Sequence, residues 1–520
     1  LSSKKRIKKY IKRLEKKGSK IMNYIDYVQL NPFQKFVYKL KSFFMAIPGA
    51  LAGFFKGVGK AIVAFFVGIG NFFKDYANNF AVGGLATKLS YVIMGAGCFL
   101  NRQIIKGVLF LAAEIGFIAY MVGFGGGYLS QFGTLGTKEA STGLDDFGMP
   151  IKVEGDNSML ILLFGTLTLV IIALFIYLYI LNIKVAVNNE KTVKAGDRPN
   201  TIFQDLKLLL DEKFHVTMLA VPTTLISCFT ILPLIFMILI AFTNFDHDHQ
   251  PPNTLFTWVG FGNFGDIFVG NQLYAQTFGK ILCWTLIWAV VATFSCYILG
   301  VIVALMINKK GLKCKSIFRT CFVMAVAVPQ FVTLLLMAQM LSQSGVVNVI
   351  LQDLGWIDQP IKFLTDTANP TMAKITVIIV NIWIGIPYTI LSTTGILMNI
   401  PEDLYESARI DGASPFVQFT KITLPYLIFV TTPQLISTFV GNINNFNVIF
   451  LLSGGGPTNV HFYQAGETDL LVTWLYKLTM NKNDNNLAAA IGIIVFIICG
   501  TLSLITFNNT KSVKDEGAFG

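Results

Sequence analysis

Charge is scarce in this chain. Lysine and arginine number 41 and aspartate and glutamate 29, so charged residues are 13% of 520 while hydrophobic ones are 53%. Soluble domains carry about 25% charged residues, and that class is excluded. A mean hydropathy of +0.61 calls instead for several apolar spans of about 20 residues each. Histidine is scarcer still. His215, His247, His249 and His461 all fall in loops or at the ends of apolar runs, which leaves an intramembrane enzyme without its usual acid, base or metal ligands. The seven cysteines (Cys98, Cys228, Cys283, Cys296, Cys314, Cys321, Cys499) are scattered with no Cys-x-x-Cys. That excludes a zinc site or disulfide framework and reads as small packed hydrophobes. No nucleotide loop is present either: Gly57–Ala61 lacks the second glycine of a phosphate loop and has Ala61 where Ser or Thr binds magnesium. A secretory signal is not expected, because the basic opening is too long and no clean apolar core with a cleavage site follows.

What is present is a series of long apolar runs. Eight spans are predicted: Ile105–Gly123, Met159–Ile183, Met218–Phe242, Phe278–Ile307, Ile317–Leu341, Ala373–Met398, Ile422–Leu452 and Leu487–Phe507. The fold class is therefore an all-α polytopic membrane protein. Lys184, Lys191, Lys194, Arg198, Lys207 and Lys213 follow span two, and Lys309, Lys310, Lys313 and Lys315 follow span four. The loop after span one is mainly acidic. By the positive-inside rule both termini are cytoplasmic. Trp258, Trp356 and Trp474 fall in the opposite, outer loops, as interfacial or docking aromatics.

The first 104 residues form a basic cytoplasmic or interfacial region. Residues 1–20 are dense in lysine and arginine, either a solvated tail or an amphipathic helix on lipid. The cation excess suits an anionic membrane leaflet and not nucleic acid. In 43–73, Lys56 and Lys60 are four apart on one helical face, which favours lying in the interface over crossing it. Glu114 sits within span one, where a carboxylate is costly; structural and functional roles are equally open. Asp246-His247-Asp248-His249 has metal-ligand composition, but the following Gln250-Pro251-Pro252 favours a solvated turn.

Two features carry chemistry. The first is the loop Pro401–Pro425, PEDLYESARIDGASPFVQFTKITLP. Pro401 suits a first helical position, Glu402, Asp403 and Glu406 favour the positive end of a helix, and Gly412 can take φ > 0 to stop it. Ser414-Pro415 then starts a second helix. The result is an ordered helix–bend–helix at the membrane surface, which asks for a docking partner. The second is a pair of uncharged polar faces near mid-span. Asn381, Ile384/Gly385 and Tyr388 share one face of span six, and Thr438, Gly441/Asn442 and Asn445 share one face of span seven. Amides suit neutral hydroxyls and a tyrosine ring can cover a sugar face. Interhelical hydrogen bonding is the plain alternative. An ion-coupled secondary transporter would need ionisable sites in the bundle; only Glu114 is a candidate, and it lies off these faces.

The loop also resembles a known family. Glu406-Ser407-Ala408, Asp411-Gly412-Ala413 and Ile422-Thr423-Leu424-Pro425 match the EAA motif of permease subunits in binding-protein-dependent ABC importers, with Ser407 in place of the usual alanine. From about residue 215 the chain is similar to the MalF-type permeases of maltose/maltodextrin importers, through AFTNFD at Ala241–Asp246, NIWIGIPY at Asn381–Tyr388 and NINNFNVIFLLSGGGP at Asn442–Pro457. The resemblance implies a type I importer permease fold with a core over 215–510, a coupling helix at 401–412, two extra spans over 105–214 and a cytoplasmic tail at 511–520. It places ATPase contact at Glu406, Ser407, Ala408, Asp411 and Gly412, and sugar contact at Asn381, Ile384, Gly385, Tyr388, Thr438, Gly441, Asn442 and Asn445. Gly441 stands where enteric members have an aromatic, so part of a stacking surface is missing. The loop after span three, about 35 residues by the boundaries above, lacks the large outer domain of those members, which points to a Gram-positive plasma membrane. The implied partners are a MalG-like second permease, an ATPase dimer that binds ATP and magnesium, a lipid-anchored extracellular sugar-binding protein, and membrane lipid. This chain itself is expected to carry no cofactor, metal or catalytic residue. The implied substrate is a neutral oligosaccharide, maltose or maltodextrin favoured over galacto-oligosaccharides.

Overall fold

The computed structural model describes residues 57–509 except 58, 61, 62, 65, 66, 69, 72, 145, 146, 148, 310 and 311. The basic run 1–20 and most of 43–73, Lys56 included, lie outside the described residues. Two compact units emerge: residues up to Arg102 with Asn182–Pro199, and residues 103–181 with 200–520.

In the first unit two short helices, Leu85–Leu89 and Ala96–Leu100, are tied by side chains. Glu190 accepts from Gly84 N (2.9 Å), the Thr87 hydroxyl (2.5 Å) and Lys194 (2.7 Å). Asn182 accepts from Gly95 N and donates to Ser90 O, both at 2.9 Å.

The second unit holds the long helices, except that the end of the helix Ser158–Lys194 from Asn182 onward belongs to the first. Among the described residues seven are long and apolar enough to cross a membrane, or up to eight if one bent pair counts as a span. They are α1 (Ile104–Gln131), α2 (Ser158–Lys194), α3 (Phe214–Ile240), α4 (Gln272–Asn308), α5 with α6 (Lys315–Ala327 and Gln330–Met340), α7 (Pro370–Met398), then, after α8 (Glu402–Ile410), α9 (Leu424–Ile443) running on into α10 (Phe446–Leu452), and, after α11 (Leu471–Lys477), α12 (Asn485–Asn509). A two-stranded hairpin, Ser141–Leu144 paired antiparallel with Pro150–Val153, is a small departure from the all-α expectation. At 1.5 Å per residue the 37 residues of α4 reach about 55 Å, well past the hydrocarbon thickness.

The fifth predicted span is a bent pair of helices. Its two halves meet at 88°, because Val328 (ψ 127°) and Pro329 (ψ 127°) are extended. Proline disfavours α geometry in the residue before it and cannot donate to the ladder. Two smaller corrections concern burial. Trp474 is fully buried, its indole donating to Tyr463 O at 2.7 Å. Of the seven cysteines, Cys98, Cys296 and Cys499 are buried but Cys228, Cys283, Cys314 and Cys321 are exposed. At 246–249 the Asp246 carboxylate accepts from the backbone of Asp248 and His249 and from the His249 ring at 2.7 Å, an Asx turn closing on itself.

Helix α4 is the shared wall. Phe278, Ile281 and Ala289 join a core with Trp474 and Leu487–Ile491, while Trp284, Trp288 and Ala292 join another with Val377, Val380 and Val448. Toward its far end α4 presents small residues to α7. A Cβ on Gly300 would lie 2.5 Å from Thr389, and one on Gly385 would lie 2.7 Å from Cys296 Sγ. Such reciprocal small-residue contacts let membrane helices approach closely. Gly300→Val should therefore overpack this seam and cost about 1–3 kcal/mol, seen as earlier loss of the monodisperse peak on heating the detergent-solubilised protein; an unchanged melting profile would contradict the contact.

Candidate functional site

The polar residues predicted on spans six and seven meet a third helix. Asn442, near the end of α9, donates to Thr293 Oγ1 of α4 at 2.9 Å. Asn445 donates to Asn381 Oδ1 of α7 at 3.3 Å and is 3.4 Å from Asn442 Oδ1. The Trp288 indole donates to Asn442 O at 3.1 Å, satisfying one of the carbonyls a helix end leaves open. Asn381 and Asn442 are buried. Buried amides are costly unless bonded, and here each finds another amide or hydroxyl.

Three expected positions behave differently from a common helical face. Asn445 is not on α9: the chain breaks at Asn444 and Asn445, whose side-chain oxygen caps α10 through Val448 N at 3.3 Å. Asparagine stabilises a helix start by that bond, and its amide nitrogen still turns back to Asn381. Gly385, expected to let a ligand near the backbone, is approached by Cys296, whose thiol donates to Asn381 O at 3.8 Å. Ile384 packs against the Trp284–Val448 core. By contrast Tyr388 is 50% exposed, Thr438 and Gly441 are exposed, and no atom lies within 4 Å of a Cβ built on Gly441.

Beside the amides lies a hydroxyl-rich cavity of about 30 Å³. Thr293, Tyr297, Thr389, Ser392, Gln434 and Thr438 line it. Tyr297 pairs with Thr431 at 2.8 Å and Ser392 donates to Gln434 at 2.6 Å. This volume exceeds the roughly 10–15 Å³ that a water needs and is too small for a sugar ring. Thr293, Tyr297 and Trp288 are residues that sequence reasoning missed, since span four reads as uniformly apolar. The 293/297 spacing of four was the available signal.

The surface loop takes the expected shape. Pro401 (ψ 133°) stands just before α8 as its N-cap instead of inside it, with Glu402 and Asp403 in the first turn. Gly412 has φ +77° and Ala413 N returns to Ala408 O at 2.8 Å, a left-handed glycine stop. Ser414 caps the next turn through Val417 N at 3.4 Å, with Pro415 first in it. Tyr405 OH pairs with Thr423 Oγ1 at 2.8 Å and joins the two limbs. Glu406, Ser407, Asp411 and Gly412 are exposed and Ala408 is half-buried. Ile410 (87%) and Phe416 (75%) are also exposed, two apolar side chains flanking the bend that the motif alone did not single out.

Residues 296–509 match the family described as binding-protein-dependent transport system inner membrane component. The chain is 35% identical over 427 residues to the galactooligosaccharides transport system permease protein GanP of Bacillus subtilis, covering 82% of this chain and 97% of that one. It is equally 35% identical over 435 residues to the maltodextrin transport system permease protein MalC of Streptococcus pneumoniae, covering 82% and 95%. Similarity to the maltose/maltodextrin transport system permease protein MalF of Escherichia coli, 35% identical, extends over 275 residues, 52% of each chain.

A bend held by Gly412 at positive φ makes a specific prediction. Gly412→Val puts a β-branched side chain where left-handed geometry costs about 1–2 kcal/mol. Since each such loss multiplies opening by about 5–30-fold, amides of α8 should exchange hydrogen faster by that factor. Equal exchange in both proteins would refute the bend as the loop's constraint.

Proposed function

This chain belongs to the inner-membrane permeases of binding-protein-dependent transport systems, and on that premise we propose that it is the oligosaccharide-translocating subunit of an ATP-driven sugar importer. One observation carries the proposal. The Asn381–Asn445–Asn442–Thr293 network lies where α4, α7 and α9 meet, it contains no charged residue, and α7 and α9 are joined by the exposed bend 401–423. Neutral amides and hydroxyls exchange hydrogen bonds with a neutral polyol at little electrostatic cost, whereas an anionic sugar would face no cation there. Asn381, Tyr388, Thr438, Gly441, Asn442 and Asn445 are the positions proposed to meet the sugar, with Gly385 and Ile384 setting the spacing behind them.

In this reading the bend faces the cytoplasm, both termini are on that side, and Ile410 and Phe416 enter a groove of an ATPase subunit, with Glu406, Ser407, Ala408, Asp411 and Gly412 around them. ATP and magnesium act on that ATPase dimer. A second permease completes the path, and a binding protein delivers sugar to the opposite face. The 30 Å³ cavity admits water only, so the sugar meets the exposed Tyr388, Thr438 and Gly441 from the side that the second permease completes. Movement of the bend reaches both helices directly. A Gram-positive plasma membrane is supported by the Bacillus and Streptococcus relatives and by the short connection 241–271.

Maltodextrins and galacto-oligosaccharides are both supported as substrates, by relatives of equal identity. Uptake of the two labelled sugar series by cells carrying and lacking the gene decides between them. Asn442→Ala should lower uptake of the preferred sugar about tenfold, the equivalent of one lost hydrogen bond of roughly 1.4 kcal/mol, with assembly unchanged. Ile410→Asp should instead weaken co-purification of the ATPase, because a carboxylate would be buried unpaired in the groove. Normal uptake in the first variant and normal co-purification in the second would remove the two assignments separately.

A further inference from the structure

At the Gln272 end of α4, away from the amide network, lies a cavity of about 430 Å³, within the roughly 300–1,000 Å³ of small-molecule sites. Gln276, Lys280 and Trp284 descend one stripe of α4 at a spacing of four, Lys374 enters from α7, and the loop 453–470 closes the far wall. Lys280 and Thr293 are 13 residues apart along α4, about 20 Å, so the cavity is distinct from the amide network.

Its walls are built. Asp469 is fully buried and accepts from Gly466 N (2.7 Å), Thr473 Oγ1 (2.8 Å) and Lys477 (2.6 Å), which fixes the base of the loop. Both oxygens of Glu467 are held, one by Lys374 at 2.6 Å and the other by Asn459 at 2.6 Å. Burial alone would raise the Glu467 carboxyl, but bonds from Lys374 and Asn459 and the nearby charge of Lys280 hold it below its ordinary value. The Lys374 ammonium stands 5.3 Å from the Trp284 ring centroid. Against this fixed frame, the side chains of Gln276, Lys280 and His461 line the cavity and have no hydrogen-bond partner among the described residues.

The chemistry selects a ligand class. Glu467 pairs with Lys374 and Asp469 with Lys477, so both carboxylates are already neutralised, and Lys280 is left as a single ammonium donor beside Gln276 and His461. Unengaged donors and acceptors stand beside the apolar surfaces of Ile281, Trp284 and Phe462. A pyranose offers the complement, hydroxyls at its rim and C–H groups on its faces. We propose that this cavity is a second sugar site, which holds a neutral oligosaccharide at the outer face before it enters the spans. The inference rests on the importer reading above.

The test is chemical footprinting of the wild-type chain, assembled with its partner permease and ATPase in lipid nanodiscs without any binding protein. An amine-reactive reagent should modify Lys280 several-fold more slowly with millimolar maltodextrin or galacto-oligosaccharide present, while exposed Lys362 labels at an unchanged rate. Gln276→Ala should raise the half-protecting sugar concentration about three- to tenfold, and Asn442→Ala should leave protection intact. Labelling of Lys280 that ignores sugar, in a protein whose cells take that sugar up, overturns the outer site and spares the importer reading. Sugars neither taken up nor protective overturn both. Protection only by an acidic oligosaccharide, or protection lost in Asn442→Ala, also overturns the outer site.

Discussion

The close seam between α4 and α7 is the contact on which the rest of the structure depends. Gly300 admits Thr389 and Gly385 admits Cys296, so each helix seats a side chain of the other in the space where its own Cβ would stand. Lipid tails are as apolar as leucine, so membrane helices gain little from hydrophobic burial and associate through such tight packing and interhelical polar bonds. The seam brings Thr293 of α4 and Asn381 of α7 to the same place. Asn442 and Asn445 then close the network from the third side. A larger residue at either glycine would part the helices and leave buried amides without partners, which is more costly than the lost packing.

The second organising element is the continuity of α7, the bend at 401–423, and α9. Gly412 at positive φ, the Ser414 cap and the Tyr405–Thr423 bond fix the shape of the bend and tie its two limbs together. The helices it joins carry Asn381 and Asn442. Charged groups are pushed to the two ends of this assembly: Glu406, Arg409 and Asp411 at the bend, and the Lys374–Glu467 and Lys477–Asp469 pairs at the other. The middle is left neutral. That distribution follows from the high cost of unpaired charge at depth, and it suits a cargo that carries none.

Span existence was readable because apolar length is a property of a single stretch of chain; among the described residues seven of the eight runs reappear as long apolar helices, some of them extended by several residues, and the fifth as a bent pair. The bend at 401–423 was readable in finer detail, since glycine, proline and serine act through their own backbone and nearest neighbours. Other features were not readable. The 88° break in the fifth run followed from Val328–Pro329, but proline inside α7 at Pro387 leaves that helix continuous, and only the surroundings decide between the two outcomes. Asn445 fitted a helical repeat with Asn442 on paper, yet a cap on α10 won over one more turn of α9. Trp474 had the composition of an interfacial aromatic and became core because Tyr463 O lay within reach of its indole.

What the sequence determined alone was therefore everything written in local chemistry: a membrane chain, its runs, its neutral polar residues, and a bend with the spacing of a known docking loop. What the tertiary structure decided was which of those residues meet. Gly385 faces Cys296 and not open space, Thr293 completes the amide network from a helix that looked featureless, and Lys374 and Glu467, 93 positions apart, close one wall of the cavity at the Gln272 end of α4. Periodicity tells which side of a helix a residue occupies. The distance between two helices depends on the side chains of both, and no single stretch of sequence contains it.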